Sequence, residues 1–193
     1  METVEGSTKE RLSRIKLLAM DVDGTLTDGA MLFLNGEQMK AFSVYDGLGI
    51  RLAISYGMKI AWVTGNLTSA VADRARTLGV DAVYQNARYK SEAMDRIATD
   101  HGLSKDEIAY IGDDLNDLPA FDRAGFCFAP ANAVEEVKKR ADIVTQRRGG
   151  EGAVREAIEV IVKAKGDWDK AVAAFLEELA REESGKPGPE AVA

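Results

Sequence analysis

The run Ile15 to Met20, apolar but for Lys16, ends in Asp21-Val22-Asp23-Gly24-Thr25, and that junction limits the fold more than any other stretch of the chain. A short apolar run closed by a turn signal reads as a buried strand. An acid at its carboxyl end stands where open α/β sheets bind ligands. Gly24 allows a tight turn that side-chain-bearing residues resist, so backbone groups can approach a bound anion. Carboxylates two residues apart can divide phosphoryl transfer between nucleophile and proton carrier. The same five residues also read as a strand running into an Asp-Gly turn, and the rest of the chain decides between the two.

Three further strand ends supply matching parts. Ile60 to Val63 reads as a short buried strand ending in Thr64-Gly65-Asn66, a hydroxyl and a glycine where a phosphate fits. Lys90 follows a third strand, Ala82 to Tyr84, and stands just before a helical stretch. Ile108 to Ile111 is a fourth strand, closing on Gly112-Asp113-Asp114-Leu115-Asn116-Asp117.

This ordered set resembles the haloacid dehalogenase superfamily of phosphotransferases from about Leu17 to about Lys165. The resemblance implies that Asp21 is the nucleophile and Asp23 the general acid/base. It makes Thr64 and Lys90 phosphate binders, helped by Gly24, Gly65 and Asn66. Asp21, Asp23 and Asp113 become the expected metal ligands, with Asp114 and Asp117 acting through water or orienting the others. The chemistry gives each residue type a reason. A phosphate monoester is a dianion, so an attacking carboxylate needs a cation between the two, and Mg²⁺ suits a few carboxylates plus phosphate oxygens. Lys90 would balance charge on the transferring group while the Thr64 hydroxyl donates to it.

Between the first two motifs, Met31 to Leu34, then Asn35-Gly36, then a strand-like segment toward Phe42 and Val44 form a hairpin signal with the dipeptide that favours a type I′ turn. Asp46-Gly47-Leu48-Gly49-Ile50 and a helix follow, and few residues separate Asn66 from the next helix, so no cap domain fits. That narrows the resemblance to the capless branch that includes the 3-deoxy-D-manno-octulosonate 8-phosphate phosphatases. Matching segments are Thr27-Asp28-Gly29, Gly36-Glu37, Lys40-Ala41-Phe42, Asp46 to Ile50, Tyr84-Gln85, Ala109 to Leu115 and Gly149 to Glu156. The branch implies a homotetramer built through the hairpins, whose overhang replaces the cap, and a phosphorylated sugar acid as substrate. Asn66 departs from the Arg usual there, as do Asn116 and Leu118 in the acidic cluster. An amide does not replace a bidentate guanidinium, so nonulosonate 9-phosphates compete as substrates. The resemblance leaves the roles of Glu37, Lys40 and Asp46 open.

Composition fits a single catalytic α/β domain. With 32 Asp and Glu against 25 Lys and Arg, neither nucleic acid nor an anionic membrane is the expected partner. Met1 to Arg14 lacks the apolar centre of a signal peptide and no run approaches a membrane span, so a cytoplasmic protein is expected. Cys127 is alone and reads as a buried strand thiol. His101 reads as a helix-terminal residue. Phe126 to Phe128 and Asp142 to Val144 read as strands flanking a helix that Asn132 could cap.

The expected organisation is an extension over 1–14, a phosphatase domain over 15–165 with the hairpin at about 30–44, a C-terminal helix over 166–183 and a disordered tail over 184–193. The fold class expected is a doubly wound parallel sheet with helices on both faces. Val154, Ala157, Ile158, Ile161 and Val162 make one helical apolar stripe; Trp168, Ala171, Val172, Phe175, Leu176 and Leu179 make another, which packs on its own core or on a neighbouring subunit. Two other functions compete. A receiver-type phosphorylation switch would carry its acid pair before the phosphoacceptor Asp, the reverse of the order here. An inactive scaffold would have lost a catalytic position, and none is lost.

Overall fold

The computed structural model describes residues 6–184. A helix, α1 (Gly6–Ser13), leads into β1 (Leu17–Met20), the hairpin strands β2 (Leu32–Leu34) and β3 (Glu37–Met39), α2 (Val44–Ser55) and β4 (Lys59–Val63). Then come α3 (Ser69–Leu78), β5 (Ala82–Tyr84), α4 (Lys90–His101), β6 (Ile108–Ile111), α5 (Leu118–Phe121) and β7 (Phe126–Ala129). The chain closes with α6 (Glu135–Arg140), β8 (Ile143–Val144), α7 (Ala153–Ala164) and α8 (Trp168–Ser184).

Six strands form one sheet in the order β5-β4-β1-β6-β7-β8, every neighbouring pair parallel. Parallel strands covered on both faces bury every side chain, and all residues of β1, β6 and β7 are buried. Alternation sends Leu18 and Met20 to a core shared with α2, α3 and α7, and Leu17 and Ala19 to one shared with α4, α5 and α6. The chain builds outward from β1 to β4 and β5 on one side, then returns to add β6, β7 and β8 on the other. The strand order therefore reverses beside β1, which puts a crevice at the carboxyl ends of β4, β1 and β6. The expected fold class is borne out.

The hairpin is a separate two-stranded sheet with Leu34 opposite Glu37. Asn35 (φ 52°) and Gly36 (φ 83°) both take the left-handed conformation that a type I′ turn requires. Its returning strand stops at Met39, short of the expected Phe42 to Val44. Ser43 caps α2 instead, accepting from the Asp46 N–H, and Val44 opens the helix. The Phe42 ring stacks on buried Trp62 with centroids 5.9 Å apart, fastening the hairpin exit to the core.

At the chain ends, α1 inserts Leu12 into the core and ties Arg11 to Asp142 and to the Gly125 carbonyl. The C-terminal stripe packs within its own chain: Arg51 pairs with Glu178 and Glu182, Ala171 is buried, and Leu176 stays exposed. The expected tail lies, from 185 onward, outside the described residues. Cys127 is buried in β7, and burial raises its thiol to about 12. His101 ends α4, where Gly102 closes the helix in the left-handed conformation.

Candidate active site

Asp21 follows β1 directly, its N–H donating to the Ile111 carbonyl at 3.0 Å, so the carboxylate emerges between β4 and β6. Thr64 stands one residue beyond β4 with its N–H on the Tyr84 carbonyl at 2.9 Å. Lys90 opens α4 after the β5 loop, and Asp113 follows β6. Four chain-distant segments meet because parallel strands end on the same edge.

The centre is a buried charge network. Lys90, 2% exposed, donates to Asp21 Oδ1 and Asp117 Oδ1, each at 2.6 Å. The Tyr110 hydroxyl also donates to Asp117 Oδ1 at 2.6 Å, while the N–H groups of Asp113 and Asp114 donate to Oδ2 at 2.9 and 3.2 Å. Asp117 is thus saturated with donors and fully buried. It anchors Lys90 and the 112–114 turn and has no oxygen to spare. Gly112 is required beside it, because a Cβ there would overlap the Asp117 carboxylate.

Asp21, Asp113 and Asp117 each present an oxygen within 4.8 Å of the others. Burial first and Asp117 second push the Asp21 carboxyl well above its ordinary value, against the pull of Lys90. The same two causes raise Asp113 to about 6, opposed by a 2.9 Å hydrogen bond from the Thr25 hydroxyl. Burial works against the Lys90 ammonium, yet Asp21 and Asp117 outweigh it and the net shift is upward. Three clustered carboxylates around one buried ammonium leave an excess of two negative charges when all are ionised. Hard carboxylate oxygens carrying that excess fit a hard divalent cation. Asp21 and Asp113, each with one oxygen outside these hydrogen bonds, are the residues that would hold it.

Asp23 leaves this cluster. Its carboxylate, expected also to ligate the metal, is held by Lys40 on one oxygen and by Asn66 Nδ2 at 2.8 Å on the other, with the Thr64 hydroxyl 3.5 Å away. Asp114 also stays outside: it is exposed, and its side chain accepts from the Leu115 N–H, capping the short turn that delivers Asp117. Asn66 folds back over Thr64, its N–H 3.2 Å from the Thr64 hydroxyl, and Gly65 lies open between them with nothing within reach of an added Cβ. Glu37 remains exposed in β3.

Several residues hold the site by contacts that their local sequence does not disclose. Asn132 caps no helix; its amide bridges the Gly24 carbonyl (2.8 Å) and the Gly149 N–H (2.5 Å), because the 145–152 loop lies directly on the Asp-Gly-Thr turn. A Cβ on Gly149 would strike the Gly24 carbonyl, and one on Gly24 (φ 92°) would strike Asp113. Asp46, 1% exposed, accepts from the N–H groups of Gly152 (3.2 Å) and Arg155 (2.8 Å), so it caps α7 from α2 and fixes that loop. Burial raises its carboxyl against those donors. Thr25 and Tyr110 each add a hydroxyl to the acidic cluster.

Residues 82–158 match the family described as haloacid dehalogenase-like hydrolase. The chain is 39% identical over 163 residues to the 3-deoxy-D-manno-octulosonate 8-phosphate phosphatase KdsC of Escherichia coli K12, spanning 83% of this chain and 86% of that one. The crystal structure of the Yersinia pestis 3-deoxy-D-manno-octulosonate 8-phosphate phosphatase superposes with a TM-score of 0.83 at 37% identity, covering 86% of this chain and 90% of that one. The Moraxella catarrhalis enzyme, crystallised with a magnesium ion, a phosphate ion and a KDO molecule, superposes with a TM-score of 0.85 at 38% identity, covering 89% and 99%.

Proposed function

This chain belongs to the 3-deoxy-D-manno-octulosonate 8-phosphate phosphatase family of haloacid dehalogenase-like hydrolases, and from that membership we propose that it is a Mg²⁺-dependent phosphatase of a phosphorylated 2-keto-3-deoxy sugar acid, the eight-carbon octulosonate 8-phosphate foremost. The observation that carries the reading is the buried contact of Asp21 with Lys90 beside Asp113, at the strand edge where the fold binds ligands.

Asp21 Oδ attacks phosphorus and the sugar oxygen leaves, giving an aspartyl phosphate. Asp23 gives the leaving oxygen its proton, then takes one from the water that attacks phosphorus and releases Asp21. Lys90 opposes the burial and the Asp117 charge that favour a protonated Asp21 and balances charge on the transferring group, while Thr64 donates a hydrogen bond to it. Magnesium, bound by Asp21 and Asp113, supplies the charge neutralisation that lets a carboxylate approach a phosphate dianion. Thr25 and Asp117 hold the second of these ligands and the turn that carries it.

Met31 (59% exposed), Leu32, Phe33 (64%), Leu34 and Met39 leave an apolar hairpin standing in solvent. An edge of that kind is paired in a stable protein, which supports a homotetramer joined through the hairpins, each closing a neighbour's site. No helix among the described residues is long and apolar enough to cross a membrane.

Asn66 donates to Asp23 at 2.8 Å, and as a departure from the Arg that the resemblance implies at this position it favours a second reading, a nonulosonate 9-phosphate as substrate. Steady-state kinetics on purified protein with octulosonate 8-phosphate, nonulosonate 9-phosphates and a simple hexose phosphate test the choice. The highest kcat/KM is expected for the octulosonate; a higher value for a nine-carbon acid would move the assignment there, and equal low values for all would remove the sugar-acid reading.

A further inference from the structure

Lys40 is a buried cation at the foot of an exposed element. Met39 before it is 48% exposed and the hairpin tip more so, yet the Lys40 side chain is 1% exposed and pairs with Asp23. Two fastenings keep it there. On one side Met39 pairs with Leu32 across the hairpin; on the other Phe42 stacks on Trp62 and Ser43 caps α2. Burying an ammonium is unfavourable unless a carboxylate pairs with it, so the chain holds Lys40 against a cost and does so at Asp23.

The Asp23 carboxylate, 27% exposed, has room to turn. Lys40 takes Oδ1 and Asn66 Nδ2 takes Oδ2 at 2.8 Å, from opposite segments of the chain. Neither oxygen is held by Lys90, which pairs with Asp21 and Asp117 instead, so Asp23 stands apart from the buried network. We propose that Lys40 is a positioning residue for Asp23: with Asn66 it forms a two-sided clamp that fixes the acid/base carboxylate on the leaving-group side of the nucleophile. The inference rests on Asp23 as the acid/base. It also gives the hairpin base a duty inside its own subunit, separate from whatever its tip contacts.

Asp23 serves first as acid to the departing oxygen and later as base to the attacking water, and kcat/KM reports only the first of these, so kcat/KM for esters whose leaving group needs no proton should be indifferent to the clamp. Kinetics of Lys40→Met, Lys40→Arg and Asp23→Asn on a sugar phosphate and on p-nitrophenyl phosphate test it. Lys40→Met is expected to lower kcat/KM on the sugar phosphate about 10²-fold, as a misplaced catalytic group does, with kcat/KM on p-nitrophenyl phosphate nearly unaffected. Lys40→Arg should recover most of the loss. An equal fall on both esters, or no fall on the sugar phosphate, would overturn the inference. If Asp23→Asn itself shows no dependence on the leaving group, the acid/base reading fails and the Lys40 inference with it. If Asp23→Asn shows it and Lys40→Met does not, only the latter fails. Should Lys40→Met not fold, Lys40→Gln applies the same comparison with a polar side chain, and equal loss on both esters there counts against the clamp.

Discussion

Replacing Lys90 with Met removes the ammonium between Asp21 and Asp117, whose side chains are 8% and 0% exposed. Breaking a buried ion pair by deleting one partner costs about 3–5 kcal/mol. For a chain of this size each kcal/mol moves Tm by roughly 2–4 °C, so a fall of about 6–20 °C is expected in metal-free buffer.

The loss should depend on pH, and the sign follows from Asp21. Its carboxyl is raised by burial first and Asp117 second, so between the ordinary carboxylate range and its folded value the native state holds a proton that the unfolded chain releases. Stability therefore falls as pH rises through that window. Lys90 lowers Asp21, so removing it widens the window upward and the deficit grows from pH 5.5 to 8.5. Lys90 itself is raised, and its own contribution is constant across this range and lost only as pH rises through its folded value. Thermal unfolding of both proteins in chelator at the two pH values measures the difference. A deficit under about 1 kcal/mol, the size of an exposed pair, or one that is flat with pH, would refute the network described here.

Three other outcomes follow from the same geometry. The gain in Tm from added Mg²⁺ should shrink as pH falls through about 6, because Asp113, raised to that value, must lose its proton to ligate; an undiminished gain at pH 5 would remove Asp113 from the metal site. Exhaustive chelation should stop hydrolysis, Mg²⁺ restore it and Ca²⁺ support it poorly, since looser coordination misplaces the phosphoryl group; full activity in verified metal-free protein would contradict the reading. Phe33→Glu, in the exposed strand β2, should convert the proposed tetramer to smaller species by ultracentrifugation and reduce kcat/KM for the sugar acid phosphate more than for a small ester. A monomer with unchanged selectivity would assign the hairpin another purpose.

The parts of this protein that sequence discloses are those with a local signature. Buried parallel strands are unbroken apolar runs, so Leu17–Met20, Lys59–Val63 and Ile108–Ile111 can be located and their strand ends compared. Asn35-Gly36 discloses the hairpin because few other dipeptides take two left-handed residues in a row. Val44 and Tyr45 favour a strand by type, and they mask the Ser43-to-Asp46 spacing that starts α2.

What stays hidden is contact between segments far apart in the chain. Asn132 precedes a short helix and looks like its cap, yet its partners are Gly24 and Gly149. Tyr110 is indistinguishable from core until its hydroxyl is seen on Asp117, and Asp46 until its oxygens are seen on α7. Nothing beside Lys40 marks it for burial, since Met39 before it is exposed. The pairing of Met39 with Leu32 on one side and the stack of Phe42 on Trp62 on the other turn it inward.

The proposed mechanism turns on Asp21 carrying the phosphoryl group. Rapid-quench analysis with ³²P-labelled sugar acid phosphate and Mg²⁺ tests it most directly, with Asp21→Asn in parallel. Label is expected on the wild-type chain, released by hydroxylamine as an acyl phosphate is, with neither label nor turnover in Asp21→Asn, whose amide is too poor a nucleophile. Label that persists on Asp21→Asn, or full turnover by that variant, would contradict it.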